Sequence, residues 1–292
     1  MADADDAFRA TGDVGADGPE QGPVGARIES LLAGLPGRTA AAARWLPRTS
    51  AGTAATREPA ERAIAIRGAD ELSAASLVKV PIAVELARRV DAGAFTFDER
   101  FDLSEFERVG GGGVLYKLDP AWQPTLADLC ALMLSVSDNT AANVVLDLVG
   151  MGEVNFTMER LKLRHTQVRR RFMDLAARAA GRDNVTSAED MVALFALLAS
   201  NALPHAARLR GMLLTDLTVE AGTFRLPDEA TIVHKGGTLP DTAHGAGIMT
   251  GPAGTCVYAV LTTAQPDLSL AAHTVARALR VLWDAWCATL ES

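Results

Sequence analysis

Ser76 and Lys79 stand three residues apart in Ala75-Ser76-Leu77-Val78-Lys79. On a helix, residues at i and i+3 share a face, so a hydroxyl and an amine would point into one space. A serine hydroxyl is a weak nucleophile until a base takes its proton. A lysine in a desolvated pocket can give up its own proton and act as that base, which arginine cannot. Of the 28 basic residues only those at 79, 117, 162 and 235 are lysine, the rest being arginine. The same pair also fits an ordinary polar helix face, so other segments have to complete a site. Ser137-Asp138-Asn139 breaks an apolar helical stretch; it is either an N-cap or a hydroxyl and an amide presented to a cleft. His234-Lys235-Gly236-Gly237-Thr238 follows a strand-like run. It is either a solvated strand end with a glycine turn, or a lysine for a substrate anion with a backbone N–H for an oxyanion.

Around these residues the chain alternates in character. Residues 24–35 read as an amphipathic helix with Ile28, Leu31 and Leu32 on one face. Residues 39–46 and 60–66 read as strands of a hairpin. A helix starts near Ser76 and runs to about residue 90, with Pro81 in its first turn. Residues 94–124 read as loop. Its glycine run, Gly110 to Gly113, is either a flexible turn or a mobile rim over a pocket. Helices follow at 125–134, capped by Thr125 with Asp128 three residues on, and at 140–149, 153–161, 186–198 and 204–214. Residues 230–234, 246–250 and 255–262 read as strands, Asp241 and His244 as a polar hairpin turn, and 268–290 as a closing helix. The order predicts an α+β fold, its sheet built from both chain ends around an inserted all-helical domain. Residues 24–75 and 215–292 would form the α/β domain and 76–214 the helical one, with the active site in the cleft between them. Residues 1–23 read as a disordered acidic leader.

Composition narrows the function classes. Hydrophobic residues make up 49% and charged residues 22% of 292, which is globular. A formal net charge of −8 argues against nucleic acid or an anionic membrane as partner. No apolar run reaches the length of a spanning helix. The first 25 residues lack a basic start and an apolar stretch, so no secretory signal is read there and the expectation is cytoplasmic. Cys130, Cys256 and Cys287 are scattered in apolar segments and read as buried free thiols. Motifs for zinc, α/β-hydrolase and P-loop chemistry are missing, and neither cofactor nor metal is expected.

Taken together, S-x-x-K at 76–79, S-D-N at 137–139 and K-x-G at 235–237, in that order, resemble the class A serine β-lactamase and penicillin-binding-protein superfamily. The stretch from Cys130 to Asn143 is similar to that family's S-D-N region along its length, and the likeness extends over about residues 24–290. It implies an αβα sandwich whose antiparallel sheet is flanked by helices. It implies Ser76 as the acylated nucleophile, Lys79 as its base or proton relay and Ser137 as the proton shuttle to the leaving nitrogen. Asn139 would hold a substrate amide. Lys235 and Thr238 would bind a carboxylate beside Gly237, and the N–H groups of Ser76 and Thr238 would form the oxyanion hole. Tyr116 would line one rim, either stacked on a ligand or packed as an ordinary tyrosine. The partner implied is a small-molecule acyl substrate.

The chain also departs from that family. The E-x-x-L-N motif that activates a deacylating water has no counterpart in residues 166–186. The acids there are Asp174, the one substitute base or else a cap or arginine partner, and Asp183, expected in an ion pair. Gly236 stands where the family has Thr or Ser, which removes a hydroxyl from the carboxylate pocket. The reading is a serine hydrolase forming an acyl-enzyme on Ser76 with a lactam, amide or ester. Its alternatives are a penicillin-binding-like acyltransferase or slow-turnover trap, and a non-catalytic binding module on the same fold.

Overall fold

The structure, a computed structural model, describes residues 22–46, 62–214, 223–252 and 254–287. The leader read at 1–23 lies, apart from its last two positions, outside the described residues. The described chain runs α1 (Pro23–Ala33), β1 (Arg38–Leu46), β2 (Ala63–Ile66), β3 (Leu72–Ser73), a 3₁₀ turn (Ala75–Val78) and α2 (Lys79–Asp91). It continues with α3 (Leu126–Ser135), α4 (Asn139–Val149), α5 (Met151–Arg160), the short α6 (Leu175–Ala179), β4 (Val185–Thr186), α7 (Ala188–Ala199) and α8 (Ala206–Leu214). It closes with β5 (Thr231–Leu239), β6 (Thr242–Gly251), β7 (Gly254–Thr263) and α9 (Leu268–Cys287).

Five strands form one antiparallel sheet in the order β2-β1-β7-β6-β5, so both ends of the chain build it. Side chains alternate across a strand, and both faces here are apolar. Ala41, Ala43, Trp45, Tyr258 and Val260 pack with Ile28 and Leu32 of α1 and with Val275, Leu279, Trp283 and Trp286 of α9. Ala40, Ala42, Val257, Ala259 and Leu261 pack instead against Met191, Leu194 and Leu198 of α7 and the helical block. Each large aliphatic or aromatic side chain buried in this way contributes about 1.5–3 kcal/mol. The result is the three-layer αβα arrangement expected from the sequence. Among the described residues no helix is long and apolar enough to cross a membrane.

Three expectations need correction. Ser76 does not open the helix: it lies in the 3₁₀ turn, and α2 begins at Lys79. Lys235 is not at a strand end, because β5 runs on to Leu239 through the two glycines, which pair in register with β6. His244 is not in a hairpin turn; it lies within β6 opposite Gly237 and is buried. In each case partner strands or helices supply backbone hydrogen bonds that a single-chain pattern does not register.

α2 is held by a buried charge. Glu85 is fully buried and accepts from Arg88, Arg89 and the Thr157 hydroxyl of α5. Burial pushes its carboxyl up, but Arg88, Thr157 and Arg89 outweigh that and leave it below the ordinary carboxylate range. Cys130 and Cys256 are buried free thiols, and Cys287 is half-buried. Burial raises the Cys130 thiol to about 12, so it is a packing group rather than a nucleophile.

Candidate active site

Lys79 is 0% exposed. Its Nζ lies within hydrogen-bond distance of four oxygens: Ser76 Oγ at 3.2 Å, Ser137 Oγ at 3.0 Å, the Ser137 carbonyl at 2.6 Å and Asn139 Oδ1 at 2.9 Å. Residues some 60 positions apart in sequence thus meet on one nitrogen. The 3₁₀ turn puts the Ser76 hydroxyl over the first residue of α2, and Ser76 is half-buried while its neighbours Leu77 and Val78 are buried. Ala75 and Ser137, both non-glycine, sit at φ 45° and 54°. Left-handed backbone at such residues costs of order 1–3 kcal/mol and persists where the surroundings over-determine it.

Those surroundings are visible. The segment before Ser76 is attached on two sides. Leu72 and Ser73 pair with Thr186 and Val185, and the Ala74 N–H donates to the Asn184 carbonyl at 2.8 Å. The Ser73 hydroxyl donates to Asp183 at 2.7 Å, and Arg170 donates to the same carboxylate at 2.8 Å. Burial pushes the Asp183 carboxyl up, yet Ser73, Arg170 and Arg178 together hold it below its ordinary range. Asp183 is therefore an ion-pair residue, as its sequence position suggested. On the sheet side, His244 Nε2 lies 2.7 Å from the Ser73 carbonyl, while its Nδ1 accepts from the Thr262 N–H at 3.1 Å. An imidazole whose Nδ1 accepts carries its proton on Nε2. Burial lowers its pKa to about 4, against the favourable bonds to Ser73 and Ala243.

β5 approaches Ser76 through Gly237. A Cβ there would stand 3.3 Å from the Ser76 nitrogen and 3.2 Å from both Ala75 Cβ and His244 Cδ2. Glycine permits this approach, and the next residue, Thr238, is exposed. Lys235 is 0% exposed, and its amine donates to the Gly236 carbonyl at 3.0 Å among its interactions. Neighbouring His234 points to the other face, 2.9 Å from the Tyr258 hydroxyl. Burial, then the charge of Lys235, lowers its pKa to about 3.

The glycine run is strapped rather than loose. Asp138 is fully buried and accepts from the N–H groups of Val114, Leu115 and Ala141. It is both the cap of α4 and the anchor of the loop. The Thr140 hydroxyl exchanges two hydrogen bonds with Val109, the Asn139 N–H donates to Gly112, and Asn139 Nδ2 donates to the Gly110 carbonyl at 2.9 Å. Gly113, at φ 77°, lies so near Asp138 that a Cβ would come within 2.2 Å of its carboxylate. Tyr116 is 36% exposed with its ring alongside Gly110.

Of the residues between 166 and 186 it is Phe172, not Asp174, that reaches the lysine. The Phe172 ring centroid lies 4.7 Å from Lys79 Nζ, a cation–π distance. Asn143 clamps its backbone, accepting from the Phe172 N–H at 2.8 Å and donating to its carbonyl at 3.1 Å. Asp174 is exposed and accepts from the Ala177 N–H at 2.9 Å, capping α6. Phe172, Asn143, His244 and the loop anchor Asp138 were not singled out as site-forming from sequence. A polar residue four positions after Asn139, on the same face of α4, was the available signal for Asn143. Among the described residues no cluster of His, Cys, Asp or Glu could hold a metal ion.

The profile of the Beta-lactamase enzyme family matches residues 47–286. No curated protein matches the chain. Among solved structures, a β-lactamase from Sphaerobacter thermophilus is 26% identical with a TM-score of 0.78, covering 90% of this chain and 96% of that one. PBP-A is 24% identical with a TM-score of 0.77, covering 90% and 95%; a mutant of it is known as an acyl-enzyme complex with penicillin G. A β-lactamase from Chitinophaga pinensis is 19% identical with a TM-score of 0.79, covering 90% and 99%. At the lower identities the likeness is one of fold.

Proposed function

Because the chain belongs to the Beta-lactamase enzyme family, we propose that it is a serine hydrolase that forms an acyl-enzyme on Ser76 with a lactam, amide or ester. The observation that carries this is the contact of one buried amine, Lys79 Nζ, with both the Ser76 and the Ser137 hydroxyls. The neutral amine takes the Ser76 proton as Oγ attacks the acyl carbon. The tetrahedral oxyanion faces the N–H groups of Ser76 and Thr238, donors fixed in place before the reaction. Collapse breaks the bond to the leaving nitrogen or oxygen. Ser137 hands that atom its proton and is resupplied by the Lys79 ammonium, so the proton count balances. Lys235 and Thr238 hold an anionic group of the substrate, and Asn139, with one amide hydrogen on Gly110, offers the other to a substrate carbonyl.

A second reading is favoured by Phe172. A hydrocarbon ring lies on Lys79 where a base for water would be useful, and Asp174 is turned to its helix cap. That supports an acyltransferase, or a trap whose ester persists. A binding module without catalysis has no need of two hydroxyls on one buried amine. Incubation with a chromogenic cephalosporin, read for burst and steady state and followed by intact mass, separates the three. Steady turnover lost in Ser76→Ala is the hydrolase. A stoichiometric burst with a stable adduct on Ser76 is the transferase or trap. No Ser76-dependent signal with β-lactams or simple esters rules out both acylating readings.

A further inference from the structure

Two strapped loops meet at the Asn139 end of the cleft. The first is the glycine run, anchored on Asp138, Asn139 and Thr140. The second carries Phe172 and Met173, held by the Asn143 clamp on one side and the Asp174 cap on the other. They touch at Gly111: a Cβ there would lie 2.4 Å from Met173 Sδ, 2.9 Å from its Cε and 3.3 Å from Asn139 Nδ2. The thioether thus rests directly on the Gly111 backbone, beside the amide that faces a substrate. Met173 adopts φ 66°, a left-handed conformation that a long side chain rarely takes. It is also 40% exposed, so burial of its own side chain does not explain the strain.

We propose that Met173, seated on Gly111, walls off this end of the cleft and makes the site selective for acyl donors whose amide substituent is small over donors whose amide substituent is bulky. The inference rests on the serine acyl-transfer reading above. The wall consists of a thioether resting on glycine backbone. A bulky group carried beyond the amide that Asn139 holds has to displace the methionine, whereas a methyl in its place does not reach it.

The test uses the full chain with the p-nitrophenyl esters of N-acetylglycine and N-phenylacetylglycine. Rates are taken from p-nitrophenol release, divided by each ester's spontaneous hydrolysis, and assigned to Ser76 by intact mass and by Ser76→Ala. The wild type is expected to favour the N-acetylglycine ester in kcat/KM by about tenfold or more, the scale on which a pocket rejects excess bulk. Met173→Gly removes the wall, and glycine accepts the left-handed backbone without strain; Met173→Ala is the second variant. Both should move the ratio toward the bulky ester by about tenfold, with thermal melts confirming folded protein. Ser76-dependent acylation without that preference, or with a smaller change in ratio in both variants, overturns the wall while leaving acyl transfer intact. No Ser76-dependent acylation by either ester in the wild type overturns the acyl-transfer reading and the wall together.

Discussion

The two buried imidazoles beside the site make stability sensitive to mild acid. His234 and His244 are held neutral by burial, with pKa values of about 3 and about 4 against an ordinary 6.5. Their folded values are depressed, so below pH 6.5 the unfolded chain binds protons that the folded chain refuses. Stability is complete above pH 6.5 and falls as pH drops toward 4 for His244 and toward 3 for His234. Full protonation of the unfolded state costs about 3.4 kcal/mol for His244 and about 4.8 kcal/mol for His234, at about 1.36 kcal/mol per pH unit each. With both groups active, the slope is about 2.7 kcal/mol per unit, and at pH 5 the loss is about 4 kcal/mol. That is a large part of the 5–15 kcal/mol typical of a folded domain. Glu85 and Asp183, held below the ordinary carboxylate range, lose their contribution only at lower pH, while Asp190, its carboxyl raised by burial, opposes the loss as pH falls. Urea unfolding at half-unit steps of pH measures the slope, and histidine ring resonances of the folded protein followed over the same range measure the cause. The reasoning fails if stability changes by less than about 1 kcal/mol between pH 7 and 5, or if either buried ring titrates above pH 5.5 in the folded state.

Gly237→Ala places a methyl 3.2 Å from Ala75 Cβ and 3.3 Å from the Ser76 nitrogen. It should cost about 1–3 kcal/mol and slow the acylation burst, whereas an unchanged burst would mean that β5 does not set the oxyanion site. Asp138→Ala removes the cap of α4 and the two bonds to Val114 and Leu115. With bonds to a charged acceptor at about 1.5–3 kcal/mol each, a drop of about 3 kcal/mol or more is expected in the unfolding free energy read from urea titration. Phe172→Glu exchanges the ring on Lys79 for a carboxylate. It should speed release of a Ser76 adduct by about tenfold or more, in the range general-base catalysis provides, as read by the decay of the adduct mass.

The sheet and its helices were legible because each element carries its own period. Ile28 and Leu32, the Ala-rich run of β1 between turn residues and the Trp283–Trp286 side of α9 need no partner to be recognised. The boundaries that moved are those set by partners. β5 continues through Gly236 and Gly237 because β6 pairs with both, although glycine in a sequence reads as a turn. The 3₁₀ turn under Ser76 exists because β4, Asn184 and His244 hold residues 72–74 in place, and all of those lie more than 100 positions away.

The same distinction separates the two halves of the site. Ser76, Lys79, Ser137 and Asn139 can be read together because hydroxyl, amine and amide are the groups an acyl transfer would use, and their identities announce it. The ring of Phe172 performs none. It matters by occupying volume on Lys79, and its placement depends on Asn143 gripping a backbone that any residue could supply. Asp174 looked like the substitute base because carboxylates are what one searches for in that loop. A carboxylate two residues past a clamped backbone, with a free helix end three residues ahead of it, has a nearer partner in the Ala177 N–H. Local capping therefore claims the acid and leaves an aromatic ring on the lysine.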